Sequence, residues 1–210
     1  MTKTTCLLLL FSAVSTFGDP PAPQEPRAAT EPAKPAAPSP DRAEVPRNRG
    51  ESQLRLTGIK FVVPSGWESQ RIQPGAMAPK AVFQIPPIKD GGEPGMVRVT
   101  YFPEMKGKDD MNVDRWIGQV TKADGTAATR ADAKVEKTET GNIRLTTVDI
   151  TGSVKMTMRD AAKPDHRMIA AIVDHPKGPH FIVVAGPTES MKTWEADIMK
   201  FLKSPEVTDK

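Results

Sequence analysis

Three side chains able to ligate a transition metal lie close together in the sequence: Asp174, His175 and His180, which bracket the segment Asp174-His175-Pro176-Lys177-Gly178-Pro179. A carboxylate and two imidazoles suit zinc or copper if a turn brings them to a common point. The same residues also describe an ordinary polar turn, and three ligands beside prolines are too few and too mobile to form a site. The sequence therefore predicts no bound metal, with Asp174, His175 and His180 as the candidates to check. A second set, Met156, Met158, His166 and Met168, combines thioethers with an imidazole, a mixture suited to copper. Methionines in alternation also serve as adaptable core filler, which is the expected role here.

Catalytic and cofactor constellations are expected to be absent. Ser65 sits in Pro64-Ser65-Gly66-Trp67 without the G-x-S-x-G elbow that exposes a nucleophile, so it reads as a turn residue. Gly91-Gly92 follows Pro86-Pro87 and opens no helix, so the amides that cradle phosphate at a helix start are not presented there. Trp67, Trp116 and Trp194 read as core anchors.

The elements that would position these groups are legible from hydrophobic period. Leu54 and Leu56, then Ile59, Phe61 and Val63, alternate with polar residues, and Gly58 allows a change of phase between the two sets. Pro64 to Gly66 turns the chain into Trp67. Phe83 and Ile85 begin a second short strand that Pro86-Pro87 stops; Val97, Val99 and Tyr101 mark a third, half-buried antiparallel strand. Val113, Trp116, Ile117 and Val120 recur at helical spacing, with Asp110 or Asn112 as the expected cap. Strands are expected around Ile143 to Ile150 and Val154 to Met158, with a bulge or bend near Thr146 and Thr147.

Met168 to Val173 and Phe181 to Ala185 are continuous apolar runs, and a hairpin without alternation must be covered on both faces. Met191, Trp194, Ile198, Phe201 and Leu202 then repeat at helical spacing, with Thr188 as expected N-cap and Trp194 at the centre of the buried face.

The N-terminal part of the chain speaks of export. Lys3 followed by an apolar stretch from Cys6 to Val14, too short to span a bilayer, reads as a signal peptide over residues 1–18, with Thr16 and Gly18 at the small-residue positions before a cut at Asp19. Cys6 precedes the leucine run instead of following it, so a lipid anchor there is not expected. Its loss leaves no cysteine for a disulfide or thiolate. Residues 19–51 form a Pro/Ala-rich tract that cannot bury enough surface to offset chain entropy; it reads as a disordered, semi-stiff linker. Residues 52–205 then make one domain of ordinary size, and 206–210 a tail.

The formal charge is +3, of which Lys3 carries one and residues 19–50 none, because their five basic and five acidic residues cancel, leaving +2 on residues 51–210. A domain at +2 with scattered Lys and Arg has no stripe for nucleic acid, and no second apolar stretch is long enough for a membrane span after signal cleavage.

The opening G-I-K-F-V-V-P-S-G-W, the apolar hairpin ending in A-G-P and the closing helix with a tryptophan and F-L-K-S resemble the PsbP-like group of α/β sandwiches, over roughly Leu54 to Pro205. That resemblance implies an α+β fold, a central antiparallel sheet flanked by helices on both faces, in a group that mostly binds or scaffolds. It carries over no functional residue. The resulting expectation is an exported, extracytoplasmic (periplasmic or secreted), non-enzymatic binding or scaffold protein of the cell envelope. Its partner would be an unidentified protein or envelope component, and no cofactor is expected. The alternative is a metal-binding protein using zinc or copper. A small hydrolase whose site only folding would assemble comes third.

Overall fold

A computed structural model describes residues 50–75, 77–157 and 160–208. Residues 1–18, expected to be a signal peptide, and nearly all of 19–51, expected to be a linker, lie outside the described residues.

The domain opens with a hairpin, β1 (Ser52–Leu56) and β2 (Ile59–Val63), in which Leu56 faces Ile59 across Thr57-Gly58. Gly58 takes φ 72°, the left-handed conformation a tight reversal needs and glycine adopts without steric cost. The change of phase expected at this glycine is thus a reversal of direction. The chain continues through β3 (Glu68–Ser69), β4 (Ala81–Ile85), β5 (Gly95–Tyr101), α1 (Asp109–Ile117), β6 (Val120–Thr121) and β7 (Lys134–Thr140). It ends with β8 (Ile143–Val154), β9 (Lys163–Asp174), β10 (His180–Pro187), α2 (Thr188–Thr193), α3 (Glu195–Leu202) and β11 (Glu206–Val207). The main sheet runs β3-β4-β5-β10-β9-β8-β6, with β7 also on β8, and every pairing is antiparallel. A smaller sheet, β1-β2-β11, includes Glu206 and Val207, which were expected in the tail and instead pair with Lys60 and Ile59.

Side chains on successive strand residues point to opposite faces, and this divides the core in two. In β9, Ile169, Ala171 and Val173 join a cluster with Phe61, Phe83, Ile198 and Phe201. Met168, Ala170 and Ile172 join another with Val113, Trp116, Ile117 and Phe181. This is why Met168 to Val173 shows no alternation: both faces of β9 are buried. Phe201 anchors the first cluster, its ring 5.3 Å from Phe61 and 5.2 Å from Trp67. Trp116 meets Phe181 edge to face at 6.2 Å in the second. Among the described residues no helix is long and apolar enough to cross a membrane.

Several local expectations are corrected. Of the two strands expected around Ile143 to Ile150 and Val154 to Met158, the first runs on to Val154 as β8, regular through the buried Thr146 and Thr147 with its irregularity at Gly152 to Val154, and residues 155–157 form no strand. Gly152 has to be small there, because a Cβ would stand 2.5 Å from the Thr121 carbonyl oxygen. Asp110 and Asn112 lie inside α1, not at its cap, where Lys108 stands. Asn112 instead donates from Nδ2 to the Lys108 carbonyl at 2.9 Å. Val120 belongs to β6. The last helix breaks at Trp194 (φ −90°, ψ 5°) into α2 and α3, and Pro187 takes the N-cap position expected for Thr188. The Thr188 hydroxyl donates to the Asp165 carbonyl at 2.9 Å instead.

Candidate functional site

The β9–β10 turn carries the three metal-ligand candidates, and the fold separates them. Asp174 ends β9 opposite Arg144 of β8, and its carboxylate accepts from the Arg144 guanidinium. Arg144 is raised above the ordinary arginine value chiefly by that bond. His175, the next residue, is 2% exposed, and its Nδ1 accepts from the Lys177 amide at 3.2 Å. An Nδ1 used as acceptor leaves the hydrogen of the neutral ring on Nε2, so the Nδ1 lone pair is not offered to a metal. His180 begins β10 and is fully buried. Among the described residues no group of three or more His, Cys, Asp or Glu is placed to hold a metal ion.

His180 has an aromatic surround. The Tyr101 ring lies 4.7 Å away, Phe61 6.4 Å, and the His175 ring 6.3 Å at 72°. Neither of its ring nitrogens has a hydrogen-bond partner. Burial lowers its pKa from 6.5 to about 4, and the positive charge of Lys80, with that of His175 when it is protonated, acts in the same direction.

The turn is fastened to the segment following β5. The Tyr101 hydroxyl donates to the Lys177 carbonyl at 2.6 Å, and Lys106 Nζ to the Pro176 carbonyl at 3.0 Å. Gly178, at φ 128°, lies so close to Pro103 that a Cβ would fall 2.6 Å from its Cα. Sequence reading found the histidines but not these clasps, because Tyr101 and Lys106 are 76 and 70 positions from the groups they hold.

His166, from the copper-suited set, lies elsewhere, near the other end of β9. Its Nδ1 is 2.6 Å from the Pro164 carbonyl, and a carbonyl can only accept, so Nδ1 carries the hydrogen. Its Nε2 faces Glu93 Oε1 at 3.5 Å, and the same oxygen accepts from Lys163. That pairing with Lys163 is the main reason the Glu93 carboxyl is held below its ordinary value. Met168 is fully buried in the second cluster and Met156 packs against it, so both act as filler; Met158 lies outside the described residues. Asp165, between Lys163 and His166, takes φ 53°, which an aspartate tolerates better than most residues.

A polar network absent from the sequence reading joins β8, β9 and α3. Arg167 holds Asp149 through Nε at 2.8 Å and Nη2 at 2.6 Å, and Glu195 through Nη1 at 2.8 Å. A lone arginine just before the apolar run of β9 was the available signal. Ser65 is exposed in its turn, Gly92 closes a turn by donating to the Lys89 carbonyl at 2.9 Å, and Trp194 is only half-buried, with Nε1 donating to the Pro86 carbonyl at 3.1 Å.

No family profile matches this chain, and no curated protein matches it in sequence. Among solved structures, the solution structure of cyanobacterial PsbP from Synechocystis aligns with a TM-score of 0.50 at 15% identity, covering 76% of this chain and 94% of that one. A crystal structure of a Pseudomonas aeruginosa protein of unknown function aligns at a TM-score of 0.40 and 8% identity, over 76% of this chain and 98% of that one. The first likeness bears out the PsbP-like resemblance at the level of fold.

Proposed function

We propose that this chain is an exported, non-enzymatic binding or scaffold domain of the cell envelope. It would be released from a signal peptide near Asp19 and carried on a proline-rich spacer. On this reading the sheet is covered by helices on both faces, α1 on one and α2 with α3 on the other. The division of the core into a cluster holding Trp116 and one holding Phe201 supports that layering.

The observation that carries the non-enzymatic reading is how the chemically capable side chains are engaged. Asp174 answers Arg144, Arg167 answers Asp149 and Glu195, and His180 is sealed from solvent. A general acid or base must reach a substrate proton, and a buried imidazole behind an aromatic wall does not. The test is twofold. Intact mass should place the mature N-terminus near Asp19, and in-cell cross-linking should join the domain to one envelope component in fixed stoichiometry. Turnover of an ester, peptide or phosphate-ester substrate that a point variant abolishes would overturn the reading.

The metal-binding alternative is favoured by one observation, away from the hairpin. His166 Nε2 and Glu93 Oε1 stand 3.5 Å apart with the other ring nitrogen tethered, close to the separation of two ligands each about 2.1 Å from one tetrahedral ion, and an ion there would have to displace Lys163 from that oxygen. Calorimetric titration with zinc or copper, with and without His166→Asn, decides that alternative.

A further inference from the structure

The turn over residues 174–180 joins a buried histidine, whose ring makes no hydrogen bond, to a set of clasps on another part of the chain. Buried polar atoms without partners are rare in folded proteins, and each one calls for an explanation. His180 has two such atoms in one ring. Its charged form has no place in the closed turn. Tyr101 from β5 and Phe61 from β2 present rings to it, and His175 presents a second imidazole from the turn. The charges acting on it, Lys80 ahead of β4 and His175 once protonated, are positive. Lys106 and Lys177 add positive charge to the same turn, and the nearest acid in sequence, Asp174, is answered by Arg144. A proton added to His180 would therefore meet repulsion and lost hydration together, and both are relieved if the residue leaves its seat.

Leaving the seat has defined mechanical consequences. His180 is paired in the ladder with Val173 on one side and Tyr101 on the other. The Tyr101 hydroxyl holds the Lys177 carbonyl, Lys106 holds the Pro176 carbonyl, and Gly178 is pressed on Pro103. Outward movement of His180 would carry those contacts with it.

We propose that the 174–180 turn is an acid-released latch, in which protonation of His180 expels it from its seat and frees the turn from Tyr101 and the Pro103–Lys106 segment. The remainder of β9 and β10 stays paired, because Met168 to Ile172 and Phe181, Ile182, Val184 and Ala185 are buried apolar residues whose contacts do not titrate. The depressed pKa of His180 places the release below the ordinary histidine range. This inference is independent of the binding or scaffold reading.

Hydrogen exchange on the full chain, corrected for the intrinsic dependence of exchange on pH, tests the latch. From about pH 7 to about pH 4, protection in a peptide covering 174–182 should fall by about tenfold or more, while one covering 143–150 keeps its protection. His180→Phe, which places an apolar ring among Phe61 and Tyr101, should keep the turn protected at both pH values. Equal protection of the wild-type turn at both pH values, or acid release undiminished in His180→Phe, overturns the proposal. Should that variant fold poorly, the imidazole resonances of the wild type decide the matter. The His180 titration and the loss of turn protection should share one midpoint, and titration of His180 with the turn amides unmoved overturns the latch.

Discussion

Arg167 grips Asp149 with two nitrogens, Nε on Oδ1 at 2.8 Å and Nη2 on Oδ2 at 2.6 Å, across the β8–β9 ladder. Its remaining nitrogen reaches Glu195 at the start of α3, so one guanidinium ties the sheet to the closing helix. The planar fork matches a carboxylate edge and costs little ordering, which a lysine cannot reproduce. The two carboxylates hold Arg167 above its ordinary pKa, so it stays charged at any working pH.

Arg167→Ala should destabilise the domain by about 2 kcal/mol, because it strands a partly buried Asp149 as well as removing the bond. Arg167→Lys should recover only part of that loss. Urea denaturation of the three proteins measures the order, and a lysine variant as stable as the parent would refute the bidentate role.

Phe201, and not Trp194, occupies the centre of the contact between α3 and the sheet. It is fully buried among Phe61, Trp67 and Phe83, whereas Trp194 is half-buried at the break between helices. Phe201→Ala should cost about 3–5 kcal/mol and Trp194→Ala about 1–3 kcal/mol. Thermal melts that reverse this order would restore Trp194 as the main anchor.

Stability should depend on pH through His180. The unfolded residue takes up a proton near its ordinary value of 6.5, whereas the folded residue does so only near 4. Between those values the unfolded chain binds more protons. The stabilisation is therefore complete above about pH 6.5 and is lost as pH falls toward 4, by about 3 kcal/mol in all. Glu195, lowered by Arg167, adds a loss of the same sign, but only as pH falls below its ordinary carboxylate value of 4.5. Denaturation at a series of pH values should show the upper window vanish in His180→Phe; an unchanged profile in that variant would assign the dependence to other groups.

Gly178→Ala should unfold the turn or cost about 2 kcal/mol or more. The new Cβ meets Pro103 at 2.6 Å, and the φ of 128° is one that alanine rarely adopts. Gly125→Ala makes the comparison: its φ of 84° carries the same kind of backbone strain, but nothing lies within 4 Å of its Cβ position. If the two variants melt alike, the close approach to Pro103 contributes nothing.

Zinc added at neutral pH should leave the melting temperature unchanged to the extent that Asp174, His175 and His180 are concerned, since Asp174 is engaged by Arg144 and the His175 Nδ1 by the Lys177 amide. A ligand that binds only the folded state would raise the melting temperature by mass action. A rise abolished by His180→Ala would show that the turn rearranges into a metal site.

Much of the fold was written in local pattern. The alternation of Ile59, Phe61 and Val63, the unbroken run from Met168 to Val173 and the helical spacing of Ile198, Phe201 and Leu202 each depend on a period, and periods are visible in a single chain. So was the antiparallel hairpin with both faces buried. Other elements lacked such a signal: β7 is mostly Lys, Glu and Thr with Val135 its single apolar residue and is placed by its pairing with β8, and β11 is two residues held by β2.

The candidate site divides in the same way. Residue types and spacing by themselves determined that imidazoles and a carboxylate flank one turn, that Met168 falls in an apolar run and that a proline-rich tract precedes the segments with strand and helix periods. Only the tertiary structure decided that Asp174 turns to Arg144, that His180 is sealed between Tyr101 and Phe61, and that His166 faces Glu93. The reason is distance along the chain. Strand register brings Arg144 opposite Asp174 and Tyr101 beside His180, and register is set by the packing of whole strands, which no local window of sequence contains.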